Sequence, residues 1–223
     1  MSNFPSPPAT CNLLLATFPM PLLDLTHTIR DKMPVYPGDT IPEIAESGTV
    51  EQGGIAHYDL KLGTHVGTHI DGPAHMIAGG RKLCEFSIDH FMGKAKIVHV
   101  PNQPFIKPEH LENINIETGD IILFRTDWSQ YFHSPDYFEN YPVLTPELAN
   151  YLVGKGVKMI GLDTPSPDTA PFEIHKILLK NEILIIENLT NLDQIPKAVP
   201  FELIALPLKV EADSAPARVI AKI

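Results

Sequence analysis

With 223 residues, 43% of them hydrophobic, the chain is long enough for one sizeable core, and nothing in its composition forces a second domain. Its formal charge of -10, from 27 acidic against 17 basic side chains, disfavours nucleic acid and anionic membrane surfaces as partners, because both need a basic footprint. Only Cys11 and Cys84 are present, which excludes a disulfide framework and a four-thiolate zinc site within one chain and suits a reducing, cytoplasmic setting.

Residues 1–22 carry an apolar run from Leu13 to Phe18, with no Lys or Arg before it and with Pro19 and Pro21 directly after. That pattern predicts a loose N-terminal extension rather than a signal peptide, and places one domain over 23–223. Leu23, Leu25 and Thr26 read as strand, followed by a rigid loop, Met33-Pro34-Val35-Tyr36-Pro37-Gly38-Asp39, which could bring Tyr36 and His27 to a pocket. From 57 to 71 the chain alternates. Tyr58, Leu60, Leu62, Val66 and Ile70 share one parity, and His57, Asp59, Lys61, His65, His69 and Asp71 the other, as a half-buried strand requires. A helical turn competes for the end of this stretch, because His65 and His69 are four apart, as are Asp71 and His75.

Further on, a short helix is expected over 86–93, a strand over 95–100, a weak helix over 107–112 and a buried strand over 120–125. The loop 126–141 holds Trp128, Tyr131, Phe132, Tyr137 and Phe138, and is either a pocket wall or a loop packed on its own domain. Thr145-Pro146-Glu147 starts a helix that runs to about Val153 and stops at Gly154 and Gly156. A strand over 158–162, a helix over 171–180 and strands over 182–189, 201–210 and 217–223 complete the pattern. Strands and helices that mix without strict alternation indicate an α+β domain around a mixed sheet or barrel.

The chemistry concentrates in Gly63–Met76, GTHVGTHIDGPAHM, which sets His65, His69 and His75 beside Asp71 among glycines and a proline. A lone histidine is ordinarily a satisfied core or surface residue; three so close together with an aspartate point to a metal site. Glu187 extends the set. It follows the apolar run Ile183-Leu184-Ile185-Ile186, and a carboxylate in a strand buried on both faces costs several kcal/mol unless it is paired. The partner is either Arg or Lys, or a cation shared with His175, which a helix returning beside its own strand can bring to Glu187. His65, His69, Asp71, His175 and Glu187 form a thiolate-free donor set that suits Zn²⁺ or Mn²⁺, with Asp71 able to bridge two ions. Val66 stands where a zincin would carry Glu.

The run His65-Val66-Gly67-Thr68-His69-Ile70-Asp71-Gly72-Pro73-Ala74-His75 resembles the HxGTHxDxPxH signature of the metal-dependent cyclase-like hydrolases, a family that includes bacterial kynurenine formamidases and isatin hydrolases. The likeness extends to Tyr36-Pro37-Gly38-Asp39, Leu162-Asp163-Thr164-Pro165-Ser166, the His175 and Glu187 pair, and Glu202–Lys209. It implies a swivelling β/β/α fold assembled at least as a dimer. It also implies one ion on His65, His69 and Asp71, a second on Asp71, His175 and Glu187, and His75 as general acid/base. Tyr36 stands where formamidases tend to carry Trp, and HVGTHID where they often read HTGAHAD. The expected activity is hydrolysis of an aryl formamide such as N-formylkynurenine, with Tyr36, Trp128, Phe132 and Tyr137 as candidates to hold the small-molecule substrate by stacking. The alternatives are a hydrolase opening a cyclic amide, imide or lactone, and a metal-stabilised binding module without turnover.

Overall fold

The computed structural model describes residues 21–196 and 201–223, so nearly all of the expected N-terminal extension lies outside the described residues, and Leu22 already belongs to the first strand. The described elements are, in order, β1 (Leu22–Asp24), β2 (Glu43–Gly48), α1 (Val50–Gly53), β3 (His57–Lys61), β4 (His69–Asp71), β5 (Met92–His99), β6 (Phe105–Ile106), β7 (Ile121–Arg125) and β8 (Val143–Leu144). They continue with α2 (Pro146–Lys155), β9 (Met159–Leu162), α3 (Glu173–Lys180), β10 (Leu184–Glu187), β11 (Phe201–Pro207) and β12 (Ser214–Lys222).

The main sheet runs β1-β12-β11-β5-β7-β9-β10-β4, and β12 also pairs with β4. That extra pairing closes every strand of this sheet except β1 into a barrel, which leaves no long open edge to protect. Pairs β5–β7, β7–β9 and β9–β10 are parallel and the remainder antiparallel, so the expected mixed α+β architecture with a barrel core is the one found. Side chains alternate strictly across the barrel wall. On β7, Ile121 and Leu123 enter the barrel core with Met159, Leu184, Ile186 and Ile70, while Ile122 and Phe124 join Leu148, Leu152, Leu178 and Ile185 beneath α2 and α3.

Several sequence expectations shift at this level. The helix over 86–93 is a 3-10 turn at Ile88–Phe91, and the strand after it begins earlier than expected, at Met92. Helix α2 has the expected N-cap, Thr145 Oγ1 accepting from the Leu148 amide at 3.4 Å, but runs through Gly154 to Lys155. It ends only where Gly156 turns left-handed at φ 67°, because that conformation, and not glycine as such, stops a helix. The hairpin of β2 with β3 was half legible, β3 being expected and β2 not.

At the ends of β7 and β9, the Asp163 carboxylate accepts from the Thr126 amide at 2.9 Å and from Thr126 Oγ1 at 2.6 Å. Burial pushes this carboxyl up, against the lowering effect of the Thr126 hydrogen bonds, from 3.8 to about 6. An acid with a raised folded pKa binds more protons folded than unfolded, so its ionisation takes stability away as pH rises between about 4 and 6. Asp163→Asn lacks that component. Its stability relative to the parent, measured by urea unfolding, is expected to improve by about 2–3 kcal/mol from pH 4 to pH 6.5.

Candidate metal centre

Strand β4 is only three residues long, yet it lies between β10 and β12 and fixes the site by register. His69 stands opposite Glu187, and Asp71 lies between Ile185 and Ser214. Because alternate residues face opposite ways, Ile70 and Ile186 fill the barrel while His69, Asp71 and Glu187 project outward on the side where α3 packs. The expected continuous strand from 57 to 71 is broken: β3 ends at Lys61, and a turn intervenes with Gly67 left-handed at φ 61°. That turn, not strand parity or a helix, brings His65 to Asp71.

Helix α3 lies between parallel strands β9 and β10, so its first turn returns to the end of β10. His175 sits in that first turn and approaches Glu187 Oε1 to 3.3 Å and Asp71 Oδ2 to 3.6 Å. The helix end is tied by Asp168, whose carboxylate accepts the Ile174 amide at 2.6 Å and His175 Nδ1–H at 2.6 Å. Asp168 escaped notice in the sequence, where it reads as one more acidic loop residue before a helix.

The hydrogen-bond chemistry tests whether these residues fit a cation. His69 Nδ1 faces the Gly67 carbonyl at 2.8 Å, and a carbonyl only accepts, so Nδ1 carries the proton and Nε2 a lone pair. That Nε2 points at Glu187 Oε2 (3.3 Å) and Asp71 Oδ1 (3.4 Å). His175 repeats the pattern, with Nδ1–H given to Asp168 and Nε2 left towards Asp71 and Glu187. His69 Nε2, Asp71 Oδ1 and Glu187 Oε1 are buried without a hydrogen-bond partner. Lone pairs facing carboxylates at this distance repel unless a cation sits among them, so the donor set fits a divalent metal.

Donor atoms of His65, Asp71 and His75 lie within 4.8 Å of one another, as do those of His69, Asp71 and Glu187. The structure thus brings all six predicted chemical residues together, with His75 drawn towards His65. Without the ion, protons respond to the same field. Burial alone would lower His65, yet the Asp71 hydrogen bond and the charges of Asp71, Glu187 and Asp213 lift it to about 9. Burial likewise opposes, and the same carboxylates outweigh it, in raising His69 and His175. Asp71 is held well below the usual carboxylate range despite its burial, by His69, His175 and His65.

Above the donors a cleft is walled by Tyr36, Phe132, Phe138, Phe172 and Met76. Of the aromatic candidates, Tyr36 and Phe132 therefore line it. Tyr137 is fully buried, its hydroxyl donating to Asn188 Oδ1 at 2.8 Å, and Trp128 lines a separate polar cleft while its Nε1–H donates to the Tyr137 carbonyl at 2.9 Å. Those two stand behind the wall rather than in it. Phe138 entered the sequence reading only as one aromatic of the loop 126–141, and Phe172 not at all. A further residue missed there is Asp213, whose Oδ2 lies 3.2 Å from His65 Nε2 and 3.1 Å from His75 Nδ1.

This fold agrees with the comparisons. The Cyclase family model matches residues 23–169, and the chain belongs to that family. Among its relatives, a kynurenine formamidase of Bacillus cytotoxicus is 34% identical over 203 residues, spanning 89% of this chain and 95% of the relative. One from Bacillus anthracis is 32% identical over 208 residues, spanning 89% and 95%. Of solved structures, isatin hydrolase A from Labrenzia aggregata superposes with a TM-score of 0.79 at 26% identity, covering 90% of this chain and 93% of that one.

If the orphaned donors are metal ligands, zinc or manganese added to metal-free protein raises Tm, the gain reaching about 2.7 kcal/mol at a free metal concentration one hundred times Kd. Asp168→Asn, which removes the carboxylate behind His175, is expected to require about 10–100-fold more metal for the same thermal shift.

Proposed function

We propose that this chain, over a single domain of residues 23–223, hydrolyses an aryl formamide, converting N-formylkynurenine to kynurenine and formate. The observation that carries the reading is 34% identity to a kynurenine formamidase across 89% of the chain. The aromatic cleft directly above the imidazole and carboxylate cluster supports it, because an aryl ring can lie against Tyr36, Phe132, Phe138 or Phe172 with its ring-attached formamide over the donors. His65, His69 and Asp71 would hold one ion, and Asp71, His175 and Glu187 a second, of zinc or manganese. Such an ion supplies Lewis acidity and lowers the pKa of water.

The chain's own groups do the remaining work. His75 is the general acid/base: it takes a proton from the attacking water and hands it to the arylamine nitrogen as the carbon–nitrogen bond breaks. Its Nδ1 faces Asp213 at 3.1 Å, so Nε2, on the opposite edge of the ring, is the atom that exchanges the proton. Asp71 and Glu187, set on one face by the register of β4 on β10, would offset the charge of such ions. The same reading includes cytoplasmic location and a homo-oligomer of at least two chains. No described helix is long and apolar enough to cross a membrane.

The second reading, opening of a cyclic amide such as isatin, is favoured by the superposition on isatin hydrolase A. It shares the attack on a carbonyl, but the amine freed when the ring opens stays attached to the product through the aryl group.

Purified, metal-loaded protein is expected to release kynurenine from N-formylkynurenine faster than it opens isatin. Absence of kynurenine formation removes the first substrate, and the reverse order favours the second. His75→Ala is expected to keep its metal and lose about 10²–10⁴-fold in kcat, whereas His69→Ala loses both metal and activity. An active His75→Ala would overturn the proton-carrying role, and loss of metal from it would make His75 a ligand. A binding module without turnover predicts no kynurenine from any of these proteins.

A further inference from the structure

We infer that Asp213 is a positioning residue that sets both the proton carrier and one metal-facing imidazole through a single carboxylate oxygen. The inference rests on the reading of His75 above, while its metal-binding half stands apart from the choice of substrate. Asp213 Oδ2 lies 3.1 Å from His75 Nδ1 and 3.2 Å from His65 Nε2. Ser214 Oγ–H donates to the same oxygen at 3.3 Å, and Thr64 Oγ1–H donates to Oδ1 at 3.4 Å. The His65 and His75 rings themselves are 4.3 Å apart, centroid to centroid.

The backbone holds this carboxylate in place. The Gly72 amide donates to the Asp213 carbonyl at 2.9 Å, the Leu83 amide donates to the Ala212 carbonyl at 3.3 Å, and Ser214 is in register with Asp71. A Cβ on Gly72 would come within 2.9 Å of the Asp213 carbonyl oxygen, so the close approach of the two segments requires glycine there. Asp213 is thereby fixed to β4, the strand that carries Asp71 and His69.

An ionised carboxylate only accepts, so the nitrogens that face it carry protons. For His75 this leaves Nε2 as the working atom. For His65 it leaves a lone pair on Nδ1, which stands 3.0 Å from Asp71 Oδ1. That contact is repulsive for a neutral ring unless a cation lies with it, so Asp213 selects the tautomer of His65 that can ligate, as Asp168 does for His175. One oxygen therefore couples the orientation of the proton carrier to that of a ligand ring. Neither imidazole is wholly buried, and without the shared acceptor each ring is free to turn about its own side chain.

Asp213→Ala, Asp213→Asn and Asp213→Glu test this, with zinc affinity measured by competition against a chromophoric chelator and turnover measured on N-formylkynurenine. Asp213→Ala is expected to bind zinc about 10–100-fold more weakly and to lose at least about 10-fold in kcat with KM little changed. Asp213→Asn keeps an acceptor oxygen at the same distance from the backbone and is expected to recover much of both. Asp213→Glu keeps the charge but displaces the acceptor, and is expected to resemble Asp213→Ala. Zinc affinity and kcat both within about twofold of the parent in Asp213→Ala overturn the inference, as does full function in Asp213→Glu should the alanine variant not fold. If the parent fails to turn over N-formylkynurenine, the proposed substrate is wrong and the zinc titrations alone decide the role of Asp213.

Discussion

Two buried carboxylates, Asp71 and Glu187, meet only histidines, and that uncompensated charge dictates the character of the whole site. Among the described residues no lysine or arginine pairs with either; their neighbours are His65, His69 and His175. In the interior an isolated charge of this kind is too costly to persist, so it must be met by protons on the imidazoles or by a cation held between them. The tautomers imposed by the Gly67 carbonyl and by Asp168 turn lone pairs to the centre, which favours the cation. Ion binding at this cluster would be linked to folding through the same few atoms, because a set of this geometry does not exist in the unfolded chain.

Closure of the barrel makes that charge cluster possible. Strand β4 contributes three residues, yet it pairs with β10 on one side and β12 on the other. A slip of one residue in either pairing would turn Ile70 outward and carry His69 and Asp71 into the apolar barrel. The apolar contacts of Ile70 and Ile186 inside the barrel therefore hold the register, and the register in turn places the side chains of His69, Asp71 and Glu187. The donor cluster on the outer face depends on hydrophobic packing on the inner one.

Behind the cleft, a wall of aromatic residues transmits support rather than touching what lies in it. Tyr137 is buried and braces Asn188, whose side-chain amide donates to the Gly67 carbonyl at 3.1 Å, the same carbonyl that orients His69. Trp128 in turn braces Tyr137. Aromatic residues in a long loop were legible in the sequence, but composition does not distinguish a ring that lines a cavity from one that holds the lining in place, since both are apolar and both are buried.

The sequence by itself determined the α+β class, most of the strands and the donor types, because apolar periodicity and the clustering of histidine with aspartate are local properties. Glu187 was legible for a related reason, a charge within an apolar run being anomalous wherever it occurs. Tertiary structure alone decided that His65 arrives by a turn at Gly67, that the first turn of α3 brings His175 to Glu187, and that Trp128 and Tyr137 stay out of the cleft. It alone brought Asp168 and Asp213 to the imidazoles they orient. Those partnerships arise from strand register and from the close approach of Gly72 to Asp213, contacts between segments distant along the chain that leave no periodic trace in the sequence.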